Sequence, residues 1–69
     1  MITYQTSGVL AKEAGKNLPL MVLKSRAGYY IGTCEDGIPY SRESIEYFES
    51  SAKAEYALEQ KLWTQRSAP

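Results

Sequence analysis

The sequence SAKAEYALEQKLWTQ, residues 51–65, decides the fold because strong helix formers dominate it and its apolar residues form two stripes. The stripes follow from a rotation of about 100° per residue. The first stripe consists of Ala54, Leu58 and Leu62. The opposite side carries Ala52, Tyr56, Glu59 and Trp63. We expect a helix over 51–65 that packs its first stripe on a sheet, and a second face that is either covered by the chain or free to bind.

Two runs rich in strand-forming residues precede this helix, over 18–25 and 29–34. The link between them ends in Gly28, which can supply the left-handed backbone that a short hairpin loop needs. The sequence therefore predicts that the two runs pair as an antiparallel hairpin.

Residues 43–48 fit two structures. As a third strand, they would be followed by Ser50 or Ser51, which can cap the helix by accepting a bond from a free backbone N–H. As an extension of the helix back to a Ser41 cap, they would add Ile45 and Phe48 to the aromatic stripe. The two adjacent serines favour the strand, because serine is a poor residue inside a helix. The predicted fold class is small α+β, with a two- or three-stranded antiparallel sheet packed against one C-terminal helix.

The chain of 69 residues is expected to form a single domain, with a short N-terminal arm over 1–17 and a frayed tail over 67–69. Such a chain buries only about 60% of the surface that it exposes when unfolded. Its one cysteine, Cys34, cannot form an intramolecular disulfide, and the absence of histidine removes the usual zinc sites. We expect low stability, which association with a second copy or a partner would supplement.

The sequence predicts neither catalysis nor a bound cofactor. The serines have no histidine as a base, and the glycines follow no phosphate-loop spacing. Calcium loops need closely spaced oxygen ligands around a glycine, which Asp36 and Gly37 alone do not provide. The acidic residues are therefore interpreted as solvated surface, and they are Glu35, Asp36, Glu43, Glu46, Glu49, Glu55 and Glu59. No enzyme activity, metal, cofactor or small-molecule substrate is expected.

The longest apolar run, over 18–23, has six residues, and no basic region with a long apolar run opens the chain. These features predict neither a signal peptide nor a membrane span. Together with the single cysteine they favour the reducing cytoplasm.

The main functional hypothesis is a non-enzymatic interaction or regulatory module that binds itself, as a homodimer, or another protein. The predicted binding surface is the second helix face, Ala52, Tyr56, Glu59 and Trp63, because exposed tryptophan and tyrosine are enriched at binding hot spots. The alternative is that the N-terminal arm covers Tyr56 and Trp63 with Ile2, Tyr4, Val9 or Leu10.

A second hypothesis is weak nucleic-acid binding by the hairpin. Residues 1–34 carry a net charge of +3 and residues 35–69 a net charge of −3. The candidate residues are Lys24, Arg26, Tyr29 and Tyr30, where tyrosine rings could stack on bases and the cations could contact phosphates.

One short stretch resembles part of a known family of DNA-binding domains. The run Tyr47-Phe48, followed by Ser50, Ala54 and Ala57, resembles the last-strand-to-helix corner of three-stranded AP2-type and integrase arm-binding DNA domains. The resemblance covers about fifteen residues and implies a three-stranded sheet that contacts DNA. Those domains carry a basic sheet, and here the sheet offers only Lys24, Arg26 and, with the third strand, Arg42.

Overall fold

A computed structural model describes residues 7–67 and contains two helices and three strands. In chain order these are α1 (Val9–Glu13), β1 (Met21–Ser25), β2 (Gly28–Glu35), β3 (Ile38–Arg42) and α2 (Ser51–Gln60). The strands form one antiparallel sheet in the order β1-β2-β3. The predicted α+β class, with an antiparallel sheet and one C-terminal helix, is confirmed.

The predicted hairpin is formed by β1 and β2, with Val22 opposite Ile31 and Ser25 opposite Gly28. Gly28 has a φ of 133°, a conformation that is open to glycine but strained for other residues. The turn from β2 to β3 contains Asp36 and Gly37, both with positive φ. Both hairpins are thus local structures specified by their turn residues.

The third strand lies earlier than predicted, at Ile38–Arg42 instead of 43–48. Residues 43–48 continue along the same edge of β2, but they make only single bridges, of Phe48 to Tyr29 and of Ser44 to Gln65. The N–H groups of Glu43 and Ser44 both donate to the carbonyl oxygen of Ile31, at 2.8 and 2.9 Å. Two residues opposite one interrupt the regular pairing, so this segment is an irregular continuation of β3.

Both helices lie on one face of the sheet. Side chains alternate between the two faces of a strand, so Ile31 and Thr33 in β2 share a face with Val22 in β1. Thr33 lies against Gly8 at the start of α1, and Val22 lines a groove with α2. Ile31 and Thr33 are completely buried on this face.

Helix α2 begins at a capped terminus, because the Ser50 hydroxyl accepts a bond of 3.2 Å from the Lys53 N–H. It ends at Gln60, five residues before the predicted end, and Lys61 takes the left-handed conformation that closes many helices. The chain then returns beside residues 43–46, where the Ile45 N–H donates to Thr64 and the Arg66 N–H to Glu43. These tertiary hydrogen bonds replace the helical ones that the predicted last turn would have made.

The early end of α2 also changes the predicted core stripe. Ala54 is fully buried as predicted, and Ala57 is buried beside it. Leu58 is half-buried, whereas Leu62 is 62% exposed. The prediction for Leu62 was wrong because this residue lies beyond the helix and no longer shares a face with Ala54.

Two predicted segments extend beyond the described residues. The arm over 1–17 is described only from Ser7, and this part contains α1, whose Leu10 and Ala11 are buried. The tail over 67–69 is described only at Ser67. Neither α1 nor α2 is long and apolar enough to cross a bilayer.

Candidate protein-binding groove

An open groove of about 710 Å³ runs between β1 and α2, and we call it the β1–α2 groove. Its lining residues are Leu20, Met21, Val22, Ala52, Glu55, Tyr56, Leu58 and Glu59. The strand side is apolar, and the helix side combines an aromatic ring with two carboxylates. Tyr56 is 59% exposed, so a large apolar side chain remains in contact with water. Exposed aromatic surface of this kind is typical of a contact site.

A smaller depression of about 290 Å³ adjoins this groove. It is lined by Val9, Leu20, Leu58, Lys61, Trp63 and Gln65. Leu20 and Leu58 line both spaces, so the two form one continuous apolar surface across the end of α2.

The predicted binding residues are only partly brought together. Ala52, Tyr56 and Glu59 line the β1–α2 groove. Trp63 does not share their helix face, because α2 ends before it, and it is half-buried in the smaller depression. Val9 lines that depression too, which agrees with the alternative that part of the N-terminal arm covers Trp63. The predicted contacts of Ile2 and Tyr4 lie outside the described residues.

The sequence analysis missed the strand side of the groove, which Leu20, Met21 and Val22 form. These residues lie within the predicted strand 18–25. Periodicity alone does not tell which edge of the sheet a helix will approach. The one sequence signal for this side of the groove was a strand with alternating apolar residues in a chain that also contains an amphipathic helix.

The outer edge of β1 carries backbone groups that point away from the sheet. In antiparallel pairing, the groups of successive residues point to opposite sides. The backbone N–H and C=O groups of Tyr29 and Ile31 point towards the β3 side of β2. There Tyr29 exchanges backbone hydrogen bonds with Phe48, and Ile31 is hydrogen-bonded to Ser44. Their partners in β1, Lys24 and Val22, therefore direct their own N–H and C=O groups outward, and no backbone bond within residues 7–67 reaches that edge of β1.

The groove is also negatively charged. Two ion pairs occur among residues 7–67, Lys16 with Glu35 at 2.9 Å and Lys53 with Glu49 at 2.8 Å. Glu55 and Glu59 belong to neither pair, although both line the groove. A basic group in the groove would therefore meet two carboxylates that have no competing partner in the described part of the chain.

A different kind of site lies at the other end of the helix-covered face, around Glu43. This carboxylate is completely buried, which corrects its interpretation as solvated surface. Its four hydrogen-bond donors are the N–H groups of Leu10 and Ala11, the Ser41 hydroxyl and the Gln65 amide. The distances lie between 2.6 and 3.1 Å. Sequence could not reveal this burial, because the donors come from segments that are distant along the chain.

Burial on its own would raise the pKa of Glu43, but the hydrogen bonds from Leu10, Ser41, Gln65 and Ala11 outweigh it and lower the pKa. Gly8 precedes α1 here, and a methyl group at this position would lie 2.6 Å from Glu43 Oε2. No space therefore remains beside the carboxylate for a substrate. Its oxygens accept hydrogen bonds from α1, β3 and the C-terminal segment.

The candidate nucleic-acid residues are divided between the two faces of the sheet. The Lys24 ammonium lies 5.5 Å from the centre of the Tyr29 ring, on the face that carries the helices. Tyr30 points to the opposite face, where it is 7% exposed and meets Tyr47 edge to face. Arg26 is exposed in the hairpin turn. Only Lys24 and Tyr29 form a joint surface.

Within the described range of the chain, no group of three or more histidine, cysteine, aspartate or glutamate side chains could hold a metal ion. Comparison with protein-family models, curated proteins and solved structures finds no match to this chain.

Proposed function

We propose that this protein is a non-enzymatic interaction module that binds a protein surface through the β1–α2 groove. The observation that carries the proposal is the Tyr56 ring, which is mostly exposed and lies across the groove from the apolar residues Leu20, Met21 and Val22. Covering the exposed part of this ring would contribute about 2–3 kcal/mol at about 25 cal/mol per Å². That contribution is large enough to govern a weak complex.

We propose the cytoplasm as the compartment, because a chain with a single cysteine suits a reducing environment. The proposal leaves open whether the protein surface belongs to a second copy or to a different protein. It requires no metal and no cofactor.

The test is Tyr56→Ser in the full chain. We expect its melting temperature to stay within about 2 °C of the parent, because the replaced ring is mostly in water. Self-association in sedimentation equilibrium, or capture of a partner from lysate, should fall at least about tenfold, since roughly 2 kcal/mol of burial is removed.

Tyr40→Ser is the matched control, because Tyr40 is also exposed but lies in β3, outside the groove. Equal binding by the Tyr56 variant and the parent would contradict the proposal. Trp63→Ser is unsuitable as the test, since a half-buried ring also supports the fold.

A second candidate function is weak nucleic-acid binding at Lys24 and Tyr29, supported by their contact at 5.5 Å. With so few cations, any affinity should be low and should decrease only shallowly with salt. Fluorescence anisotropy with a single-stranded oligonucleotide at about 50 mM salt, where screening is weak, checks this. Lys24→Gln should remove the signal, and no signal with the parent protein would exclude this function.

A further inference from the structure

Building on the proposed function, we infer that residues 1–6 of this chain add to the outer edge of β1 as a fourth antiparallel strand, with the Tyr4 ring in the β1–α2 groove. The segment then competes with a partner for the groove, so that binding requires its displacement. The path of the chain at Ser7, the direction of the backbone groups along β1 and the sequence of the segment all point to this arrangement.

The chain is already paired with the segment that leads into β1 where the described region begins. Ser7 forms an antiparallel bridge with Pro19, and the Gly8 N–H donates to the Leu18 carbonyl oxygen at 2.9 Å. Pro19 lies two residues before β1, so an antiparallel segment continued back from Ser7 runs along the outer edge of β1. Six residues precede Ser7, and in extended form they span about 20 Å, which matches the length of residues 20–25.

The backbone groups along β1 point in the directions that this pairing requires. Proline has no N–H, so the bridge of Ser7 with Pro19 is the kind of pair that lies between two hydrogen-bonded pairs. The hydrogen-bonded pairs of the same register are therefore 8 with 18, 6 with 20, 4 with 22 and 2 with 24. The pairing of β1 with β2 independently directs the N–H and C=O groups of Val22 and Lys24 outward. An added strand in this register satisfies those groups.

The sequence of the segment suits an edge strand with one apolar face. Residues 1–6, MITYQT, include strand-forming types and contain no glycine, no proline and no charged side chain. Side chains alternate along a strand, so Ile2, Tyr4 and Thr6 share one face. Ile2 lies opposite Lys24, whose apolar stem it can cover without bringing a like charge. The register therefore directs both Ile2 and Tyr4 to the helix side of the sheet.

The β1–α2 groove offers Tyr4 both apolar and polar contacts. A residue paired with Val22 lies on the same face as Val22, which is the face of α2. The Tyr4 ring would pack between Val22 and the Tyr56 ring and remove apolar surface of both from water. Glu55 and Glu59 line the same groove and belong to neither ion pair found within residues 7–67. A phenol hydroxyl donates a hydrogen bond, so it suits a groove that carries carboxylates.

Strand addition and partner binding use the same surface, so they exclude each other. A partner binds only the fraction of molecules in which the segment has left the groove, and its apparent affinity is reduced by that fraction. Residues 1–6 therefore act as an intramolecular inhibitor that a partner displaces. Weakening the segment should strengthen binding, whereas removing the Tyr56 ring should weaken it.

Amide hydrogen exchange of the isotope-labelled full chain tests this pairing. We expect the Val22 and Lys24 amides to be protected equally at every protein concentration. Tyr4→Ser should speed their exchange at least about tenfold, because it removes the ring that holds the segment. Gln5→Ser is the matched control, since residue 5 faces away from the groove, and it should change the exchange less than about threefold. The Leu23 amide points towards β2 and should stay protected in all three proteins.

Nuclear Overhauser contacts in the parent protein report the register directly. Residues 3 and 5 would face residues 23 and 21 in pairs without hydrogen bonds, where Cα atoms lie about 4.5 Å apart. We therefore expect contacts between the Hα atoms of Thr3 and Leu23, and between those of Gln5 and Met21. Contacts shifted by one residue would place Tyr4 on the other face of the sheet and would overturn the assignment of Tyr4 to the groove.

The association measurements designed for Tyr56→Ser test the inhibition. Tyr4→Ser should raise self-association in sedimentation equilibrium, or binding of a partner that the parent captures, at least about threefold. Gln5→Ser should leave both unchanged. If Tyr4→Ser releases the Val22 and Lys24 amides and association does not rise, the segment does not inhibit the groove.

Two further outcomes would overturn the inference. Rapid exchange of the Val22 and Lys24 amides in the parent at every concentration would show that residues 1–6 do not occupy the edge. Protection that rises with protein concentration would show that a second copy occupies it instead. In both cases the Tyr56→Ser measurements still decide separately on the proposed function, because they compare binding at the groove and do not depend on residues 1–6.

Discussion

The two ends of the helix-covered face differ in burial and in polarity. Around Glu43, a buried charge is surrounded by four hydrogen-bond donors from distant segments. In the β1–α2 groove, by contrast, apolar residues at β1 and the Tyr56 ring line an open space. At the polar end the oxygens of Glu43 already accept hydrogen bonds, whereas at the apolar end a partner would remove apolar surface from water.

This contrast indicates where stability and binding are located in so small a domain. A buried carboxylate is costly unless all its bonds are made, and once they are made the removal of any partner is destabilising. Exposed apolar surface has the reverse property, because its loss costs the folded state little and removes contact energy from a complex. Substitutions at the two ends should therefore separate stability from binding.

The largest effect is expected at Glu43. Glu43→Gln replaces a fully ionised acceptor by an amide whose NH₂ group would face N–H donors, so we expect the free energy of unfolding to fall by about 3 kcal/mol. Urea denaturation followed by circular dichroism measures it. Glu13→Gln, at an exposed position on α1, is the control and should be neutral. A variant as stable as the parent would mean that Glu43 does not hold these segments together.

A smaller effect distinguishes the two leucines near the end of α2. Leu58 is half-buried, so Leu58→Ala should lower the free energy of unfolding by about 1–2 kcal/mol, less than for a fully buried leucine. Leu62→Ala should change it by less than about 0.5 kcal/mol, because its side chain is 62% exposed. Thermal melts of the two variants test where α2 ends, because a helix that continued to residue 65 would make both variants similarly unstable.

The smallest expected effect is the change of stability with pH, which is slight near pH 7. The pKa of Glu43 is lower in the folded protein than its ordinary value, so the ionised carboxylate stabilises the fold. This contribution is fully present above the unfolded pKa of about 4.3 and is lost as the pH falls through the folded pKa. Melting temperatures from pH 7 to pH 2 should therefore be nearly constant at first and decrease in acid.

Glu43→Gln separates this contribution from those of Glu46 and Glu49, whose pKa values are also lowered. The variant should lose less stability between neutral pH and acid than the parent does. A parallel decrease in the two proteins would show that other carboxylates account for the acid sensitivity.

Local signals predicted much of the fold and part of the site. The glycine at position 28 and the strand formers around it were sufficient for the first hairpin, and Ser50 marked the start of α2. Ala52, Tyr56 and Glu59 were placed together because one regular helix carries all three. Trp63 was misplaced, since the sequence contains no glycine or proline that would mark the helix end before it.

What the sequence by itself determined is therefore the local structure: helix formers, turn residues and caps act within a few residues of one another. Only the tertiary structure decided where α2 ends, because residues 64–66 gain hydrogen bonds to 43–46 that compete with a further helical turn. The burial of Glu43 was decided in the same way, since its donors at Leu10 and Gln65 approach it only after folding. Periodicity records the faces of a single element, whereas these contacts depend on how the elements meet.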